Sequence, residues 1–434
     1  MKRSLTTLVA IAALALPLVP ASAAPTTVVD LGGPRAYVRG DGVASLATID
    51  VFVRAGLDRE TLQQNGLAAL VAESVLQTPV TRAGGAAPIA LTDAVDASGA
   101  SISYTIAPEY VRFSLQGTPD SIAVAAPLVA RALAAPSFAA PTLAGARVAL
   151  GDRIADTEED LRFVGLQMLR NSYYRDGAGL PAFGNPGSLS ALGDADARAF
   201  FAAWYLRGDA FLTVVGRTGP ATETASRLLI AALPAGTAAA PAVVARPFGV
   251  EPKRIVTHRD VAAPYVAIGF AAPPIGDPDF AATWVMRSVL VGVFERPVAT
   301  TPTPFFRPVG SLYAYDTAPA HFVLWINGGR IDPSTGLGAV IALVKGTATK
   351  PLSDAVLAHY KETARGEWAL ETLSLDERAA AIGNAVARGL DADAGDAVPA
   401  AISAVTVDDV ERVAKKYFQK FDIALVIPRE GSGG

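Results

Sequence analysis

The chain contains no cysteine. That excludes disulfides, thiol nucleophiles and thiolate metal sites, and it suits an oxidising compartment. Histidine is nearly as scarce. His258, His321 and His359 are the only three in 434 residues. They are far apart, and no two stand at the spacing that puts two imidazoles on one helix face. Charged residues make up 18%, somewhat below the usual share, and the formal net charge is −4. With no Lys/Arg run either, nucleic acid is not an expected partner. No Gly-x-Ser-x-Gly elbow, Walker-type loop or dinucleotide fingerprint is present. Gly32-Gly33-Pro34 and Gly84-Gly85 read as turns. Beyond the N-terminal stretch no segment is apolar for long enough to span a bilayer, so no membrane span is expected.

What the sequence does have is apolar bulk, at 51% of residues. That length and composition suggest more than one domain with ample core. Residues 1–23 read as a signal peptide. Lys2 and Arg3 give the positive start, Leu8 to Val19 the apolar stretch, and Ala21-Ser22-Ala23 the small-residue cleavage site. The mature chain is expected in the periplasm or outside the cell.

The stretch that organises the rest runs from Asn65-Gly66-Leu67-Ala68 to Glu73-Ser74-Val75-Leu76. Ala, Leu and Glu dominate it, which predicts a helix. It is apolar on nearly every side, which predicts burial. An apolar strand, Ile49 to Ala55, and a polar turn, Gly56 to Gln64, lead into it. Glu73 is its one carboxylate and reads as a group at the wet edge of the helix.

This order resembles the pitrilysin and insulinase family of zinc peptidases, which includes the mitochondrial processing peptidases. Family members carry His-x-x-Glu-His just after Gly-Leu-Ala. Two His bind zinc and the Glu activates water. Here those five positions are Ala69, Leu70, Val71, Ala72 and Glu73. Both histidines and the base are replaced, and a single carboxylate does not make a zinc site. The resemblance therefore implies the fold and no catalytic, metal or cofactor residue. The family's third ligand is a Glu on a later helix. The matching region is Arg147 to Ile154, with Gly151 or Asp152 at the ligand position. Glu158 and Glu159, further along, read as a solvated helix face.

The two halves repeat each other. The strand Val51 to Gly56 corresponds to Val266 to Ala271, and Glu73-Ser74-Val75-Leu76 matches Arg287-Ser288-Val289-Leu290, 214 residues later. Near the ends, Asp196 pairs with Asp408, Tyr205 with Tyr417 and Val214 with Val426, each 212 later. Thr406 to Asp409 reads as a capping box. The hairpin Ser101–Ile106 and Tyr110–Leu115, with helices near 119–134 and 140–172, completes the first half. The predicted class is α+β: two homologous domains, each a mostly antiparallel sheet with helices packed on one side. The expected divisions are 24–233, a small-residue, Pro-bearing linker at 234–250, and 251–434.

The resemblance spans essentially the whole mature chain. Tyr173-Tyr174 and Gly179 to Gly187 are similar to the family's loop after its long helix. In the second half the family has an Arg and a Tyr that hold the substrate backbone. Phe305-Phe306-Arg307 to Tyr313-Ala314-Tyr315 looks like that segment, which implies Arg307 and Tyr313, or alternatively Tyr315, as peptide-binding residues. An erased zinc site on a complete fold implies a non-catalytic subunit. Its expected partner is a motif-bearing chain of the same family, as a heterodimer, and its expected ligands are unfolded or extended peptides. The other reading is a stand-alone peptide-binding or scaffold protein. His258-Arg259-Asp260 reads as a surface turn, and His321 as the rim of the strand Phe322 to Ile326.

Overall fold

The computed structural model describes residues 24–85, 87–174, 177–238, 253–295, 309–314, 320–327 and 336–429. In the first half, β1 (Thr27–Asp30), β2 (Arg35–Gly40) and β3 (Ala47–Val53) lead into α1 (Leu67–Leu76). A two-stranded ribbon follows, β4 (Pro79–Val80) and β5 (Ile89–Ala90), then α2 (Leu91–Asp96). The hairpin β6 (Ser101–Ile106) and β7 (Val111–Gly117) runs into α3 (Pro119–Ala134), α4 (Ala140–Glu159) and α5 (Leu161–Tyr173). Then come α6 (Pro186–Ala191), α7 (Asp194–Trp204), β8 (Phe211–Gly216) and α8 (Pro220–Ala232). The second half is β9 (Arg254–Arg259), β10 (Tyr265–Ala271), α9 (Phe280–Glu295), β11 (Val309–Ala314) and β12 (His321–Asn327). It closes with α10 (Gly336–Thr349), α11 (Asp354–Leu370), α12 (Leu375–Ala387), α13 (Val398–Ala404), α14 (Val407–Tyr417) and β13 (Asp422–Pro428).

The fold is α+β with one large sheet per half. The first has the order β1-β2-β8-β3-β7-β6, antiparallel except for β2–β8. The second has the order β11-β12-β10-β13-β9, antiparallel except for β13–β9. The single parallel pair falls in the same place in both. Ile49, Val51 and Val53 of β3 face a core built with the half's own helices, α1 to α4, α7 and α8. In the second half the side chains of β10, β11 and β12 meet α9, α10, α11, α13 and α14 in the same way.

The helix expected over 140–172 is two helices. Asp160 between them is extended, at φ −85° and ψ 104°, and its carboxylate accepts from the Arg162 N–H at 2.9 Å. A capping carboxylate in extended backbone ends one helix and starts the next, so α5 leaves the first half. It crosses to the second sheet, where Leu169 and Tyr173 pack on Val323, Ala424 and Val426. The second half returns a helix: α12 lies on the other face of the first sheet, with Ile382 against Val215 and Val386 beside Phe52 and Phe211. α5 and α12 are duplicates, Leu161 and Tyr173 recurring as Leu375 and Ala387, 214 residues on. So each half's own helices cover one face of its sheet, and the other half's helix covers the second. Close approach needs glycine. A Cβ on Gly383 would meet the Phe52 ring at 2.0 Å, and one on Gly165 the Tyr265 ring at 2.8 Å.

The duplication is displaced by one residue from its sequence reading at the C-terminal ends. The buried residues Ala197, Phe200, Phe201 and Tyr205 correspond to Val410, Val413, Ala414 and Phe418, a separation of 213. Val214 packs in the first helix-covered core and Val426 faces α5, so those two point to opposite sides of their sheets. Identical Asp, Tyr and Val residues suggested 212, but burial sets helix register and residue identity does not. The Thr406 capping box is present, with Thr406 Oγ1 accepting from the Asp409 N–H at 3.2 Å and the Asp409 carboxylate from the Thr406 N–H at 3.0 Å. Residues 1–23 and most of 234–250 lie outside the described residues. Pro234 and Gly236 are tied to the first half, their carbonyls accepting from Arg207 and Gly208 N–H at 2.8 Å each.

Candidate functional site

Gly66 sits at the start of α1 with φ +93°, and a Cβ there would come within 2.9 Å of Leu189. Both the left-handed backbone and the close approach call for glycine. The open N–H groups of the first turn are met by Glu60. Its carboxylate accepts from Ala68 N–H at 2.7 Å, Gly66 N–H at 3.0 Å and Asn65 Nδ2 at 3.2 Å. This is a carboxylate on the positive end of a helix dipole, although burial pushes its pKa up to about 7.

All ten residues of α1 are buried, including Ala69 and Ala72 at 0% exposure. Glu73 is buried as well, at 4%, which corrects its expected place at a wet edge. What makes burial tolerable is a partner. Gln77 Nε2 donates to Glu73 Oε1 at 3.1 Å, and Arg153 of α4 brings Nη2 to 3.6 Å from Oε2, an ion pair without a hydrogen bond. The Arg153 guanidinium lies 4.5 Å over the Tyr104 ring of β6 and 5.5 Å over Phe183. Burial, and then the neighbouring Glu73 charge, hold the Tyr104 hydroxyl well above its usual pKa. Gly151 and Asp152, at the family's ligand position, are exposed and take no part. Glu158 and Glu159 are exposed too. A guanidinium therefore stands against the helix where the resemblance would put a metal cation. Among the described residues no group of three or more His, Cys, Asp or Glu is placed to hold a metal ion.

The second half repeats the pair with the signs exchanged. Arg287 of α9 and Glu367 of α11 are 214 residues beyond Glu73 and Arg153, with Nη1 to Oε2 at 3.1 Å. Ser288 Oγ donates to Glu367 at 2.6 Å, Arg287 Nε to Ser311 Oγ at 2.9 Å, and the guanidinium lies 4.4 Å over Trp284. Sequence reasoning aligned Glu73 with Arg287 but did not find Arg153 or Glu367. The signal was there: an acid-for-base exchange between repeats calls for a matching exchange in whatever each one touches.

Beside Arg153 opens a cavity of about 590 Å³ between α4, α5 and the 181–185 loop. Ile106, Phe163, Leu166, Met168 and Phe183 give it apolar walls, and Arg259 closes one side. Ile106 ends β6, the edge strand of the first sheet. Ser101, Ser103 and Thr105 of that strand face solvent.

Of the expected peptide-binding residues, Arg307 and Tyr315 lie outside the described residues. Tyr313 is in the second core, its ring 5.4 Å from Phe280 and 5.7 Å from Trp284, and its hydroxyl donates to the Pro273 carbonyl at 2.6 Å. That position gives Tyr313 a packing role in place of the substrate-facing one expected, because its hydroxyl is buried and engaged. His321 opens β12, at the strand's end as expected, but it is buried, its ring 5.5 Å from Tyr173. His258 is exposed, as expected, but it lies in β9 and not in a turn. No helix of the described residues is long and apolar enough to cross a membrane.

No family model and no curated protein matches the sequence. Solved structures match the fold. The chain aligns with the inactive domain of a peptidase M16 from Pseudomonas fluorescens at a TM-score of 0.77 and 17% identity, over 93% of this chain and 98% of that one. A protease from Helicobacter pylori aligns at 0.76 and 15%, over 94% and 100%. The periplasmic protease PqqL from Escherichia coli aligns at 0.70 and 14%, over 98% of this chain and 48% of that longer one.

Proposed function

We propose that this chain, which has the fold of the M16 peptidases, is a non-catalytic subunit of a periplasmic metallopeptidase of that kind. It pairs with a chain that carries an intact zinc motif, supplies part of the wall of a peptide chamber, and holds extended peptides. The observation that carries this reading is the filled site: Ala69 and Ala72 where ligand and base would stand, and an Arg153 guanidinium on Glu73. Alanine has no lone pair to give, and a paired carboxylate is not free to bind an ion. The similarity to a domain described as inactive supports it.

Peptide capture follows from the edge of the first sheet. An extended segment added beside β6 would gain main-chain hydrogen bonds and place alternate side chains toward the neighbouring cavity. Arg307 is the proposed donor to a peptide carbonyl, with Tyr315 in place of the buried Tyr313. In this reading residues 1–23 direct export, and 24–233 and 251–434 are the two domains, joined through 234–250.

Co-purification from native periplasm tests the pairing. A motif-bearing partner at near-equal amount is the expected result; a chain that runs alone at native levels removes the heterodimer. Chelator-sensitive cleavage of peptides by the isolated chain would remove the non-catalytic assignment. The stand-alone peptide-binding reading rests on the same exposed edge strand. It gains if the purified single chain captures a fluorescent extended peptide with no partner present.

A further inference from the structure

The seam between the first sheet and α12 contains a carboxylate with too little to bind. Asp50 of β3 is 0% exposed. Its Oδ2 accepts from Arg112 Nη1 at 3.0 Å, while its Oδ1 is buried with no hydrogen-bond partner. The residue directly across on β8 is Thr213, also 0% exposed, and its hydroxyl is likewise buried and unpartnered. Arg112 is shared. Asp376, in the first turn of α12, accepts from Nη1 at 3.1 Å and from Nη2 at 3.2 Å, and from Ser114 Oγ at 2.9 Å. The groups facing Asp50 are thus Arg112 and Ser114 from β7, Thr213 from β8 and Asp376 from α12. Two carboxylates, Asp50 enclosed and Asp376 at the surface, meet one guanidinium, so with both ionised the cluster carries one uncompensated negative charge.

We infer that this cluster is a proton-operated latch between the two halves: proton uptake by Asp50 tightens α12 on the first sheet, and proton loss loosens it. A proton on Oδ1 removes the surplus charge from a buried carboxylate oxygen that has no donor to meet it. The Asp376–Arg112 pair then stands alone and balanced, and it is the contact that ties the start of α12 to β7. Burial, opposed in part by Arg112, raises the Asp50 pKa from 3.8 to about 6. A carboxyl raised on folding contributes stability that is complete below its unfolded value and is lost as pH climbs through its folded one. The latch is therefore tightest near pH 4 and released by about pH 6.

Amide exchange of α12 on the full chain, corrected for intrinsic rate, tests this between pH 4.5 and 7. Amides of α3 serve as an internal reference, since Glu60 titrates in the same range but sits at α1. Protection of α12 relative to α3 should fall as pH rises, by at most about tenfold per pH unit. D50N should abolish that relative fall. Asp376 is at the surface, with 43% of its side chain exposed, so D376N keeps the test alive if D50N does not fold. It should move the midpoint to lower pH, because Asp50 then has Arg112 to itself. A D50N profile parallel to the parent, or a D376N midpoint unchanged, overturns the latch.

Discussion

Glu73 with Arg153 and Arg287 with Glu367 hold equivalent places in the two halves, and their signs are opposite. In the first pair the acid is the deeper partner, its side chain 5% exposed against 37% for the base. In the second the base is deeper, 12% against 27%. In both, the buried member rides on the first core helix and is met from a second helix, with an aromatic ring under the guanidinium. The exchange shows what the position requires. It is a charge-matched bridge between two helices, and either sign serves. In the first half that bridge stands where the family's metal would stand. An ion pair joins the helices there, as one of opposite polarity does in the second half.

Rebuilding the metal motif would be the strongest break in the comparison. A69H/A72E/E73H puts two larger polar groups where Ala69 and Ala72 are fully enclosed and an imidazole in place of the buried Glu73 carboxylate. At about 1–3 kcal/mol for each overpacked position, with Arg153 left facing an imidazole, the triple variant should lose its cooperative thermal transition. Metal analysis should find no stoichiometric zinc; a folded, zinc-loaded variant would show that the site is latent and not replaced. Next in size are the single truncations. R153A strands the deeply buried Glu73 and should cost roughly 2–4 kcal/mol. E367A strands Arg287, which still donates to Ser311, and should cost about 1–2 kcal/mol by denaturant midpoint. Equal losses would mean the pairs are not ranked by the depth of the stranded charge.

Smaller effects sharpen the same point. The exchange E73R/R153E copies the second half's polarity into the first and should recover at least half of the R153A loss, unless the Tyr104 and Gln77 surroundings are tuned to one sign. Replacing the pair by apolar groups, E73L/R153M, should fall within about 1 kcal/mol of the parent or above it, because a buried ion pair is worth little more than well-packed hydrocarbon. A loss as large as that of R153A would assign the pair a role beyond bridging.

The sequence made the duplicated architecture and the emptied motif legible because both are patterns of residue identity. Alanine at positions 69 and 72 rules out ligation whatever surrounds it, and helix-favouring composition marks α1 as apolar strand runs mark β3 and the β6–β7 hairpin, without tertiary information. What escaped was set by contacts. Glu73 reads as a surface acid until Arg153, 80 positions away, is known to lie on it. The split at Asp160 was hidden because helix-favouring residues flank it on both sides, and only its extended backbone and capping carboxylate turn the chain. The one-residue displacement at α7 and α14 arose because identical residues were matched in place of residues with the same burial, as with buried Tyr205, whose counterpart is Phe418 and not Tyr417. Tyr313 matched a motif by spacing alone, while its neighbours Phe280 and Trp284 decide where its hydroxyl points.

The crossing of α5 and α12 has a consequence for how such a molecule could originate. Neither sheet is clothed on both faces by its own half, so a solitary ancestral copy would have exposed the surface now covered by a borrowed segment. Two identical copies trading that segment would have solved the problem for each other. Fusing their genes end to end would then preserve the trade within one polypeptide, and severing the present chain between the halves should yield fragments that are soluble only when mixed.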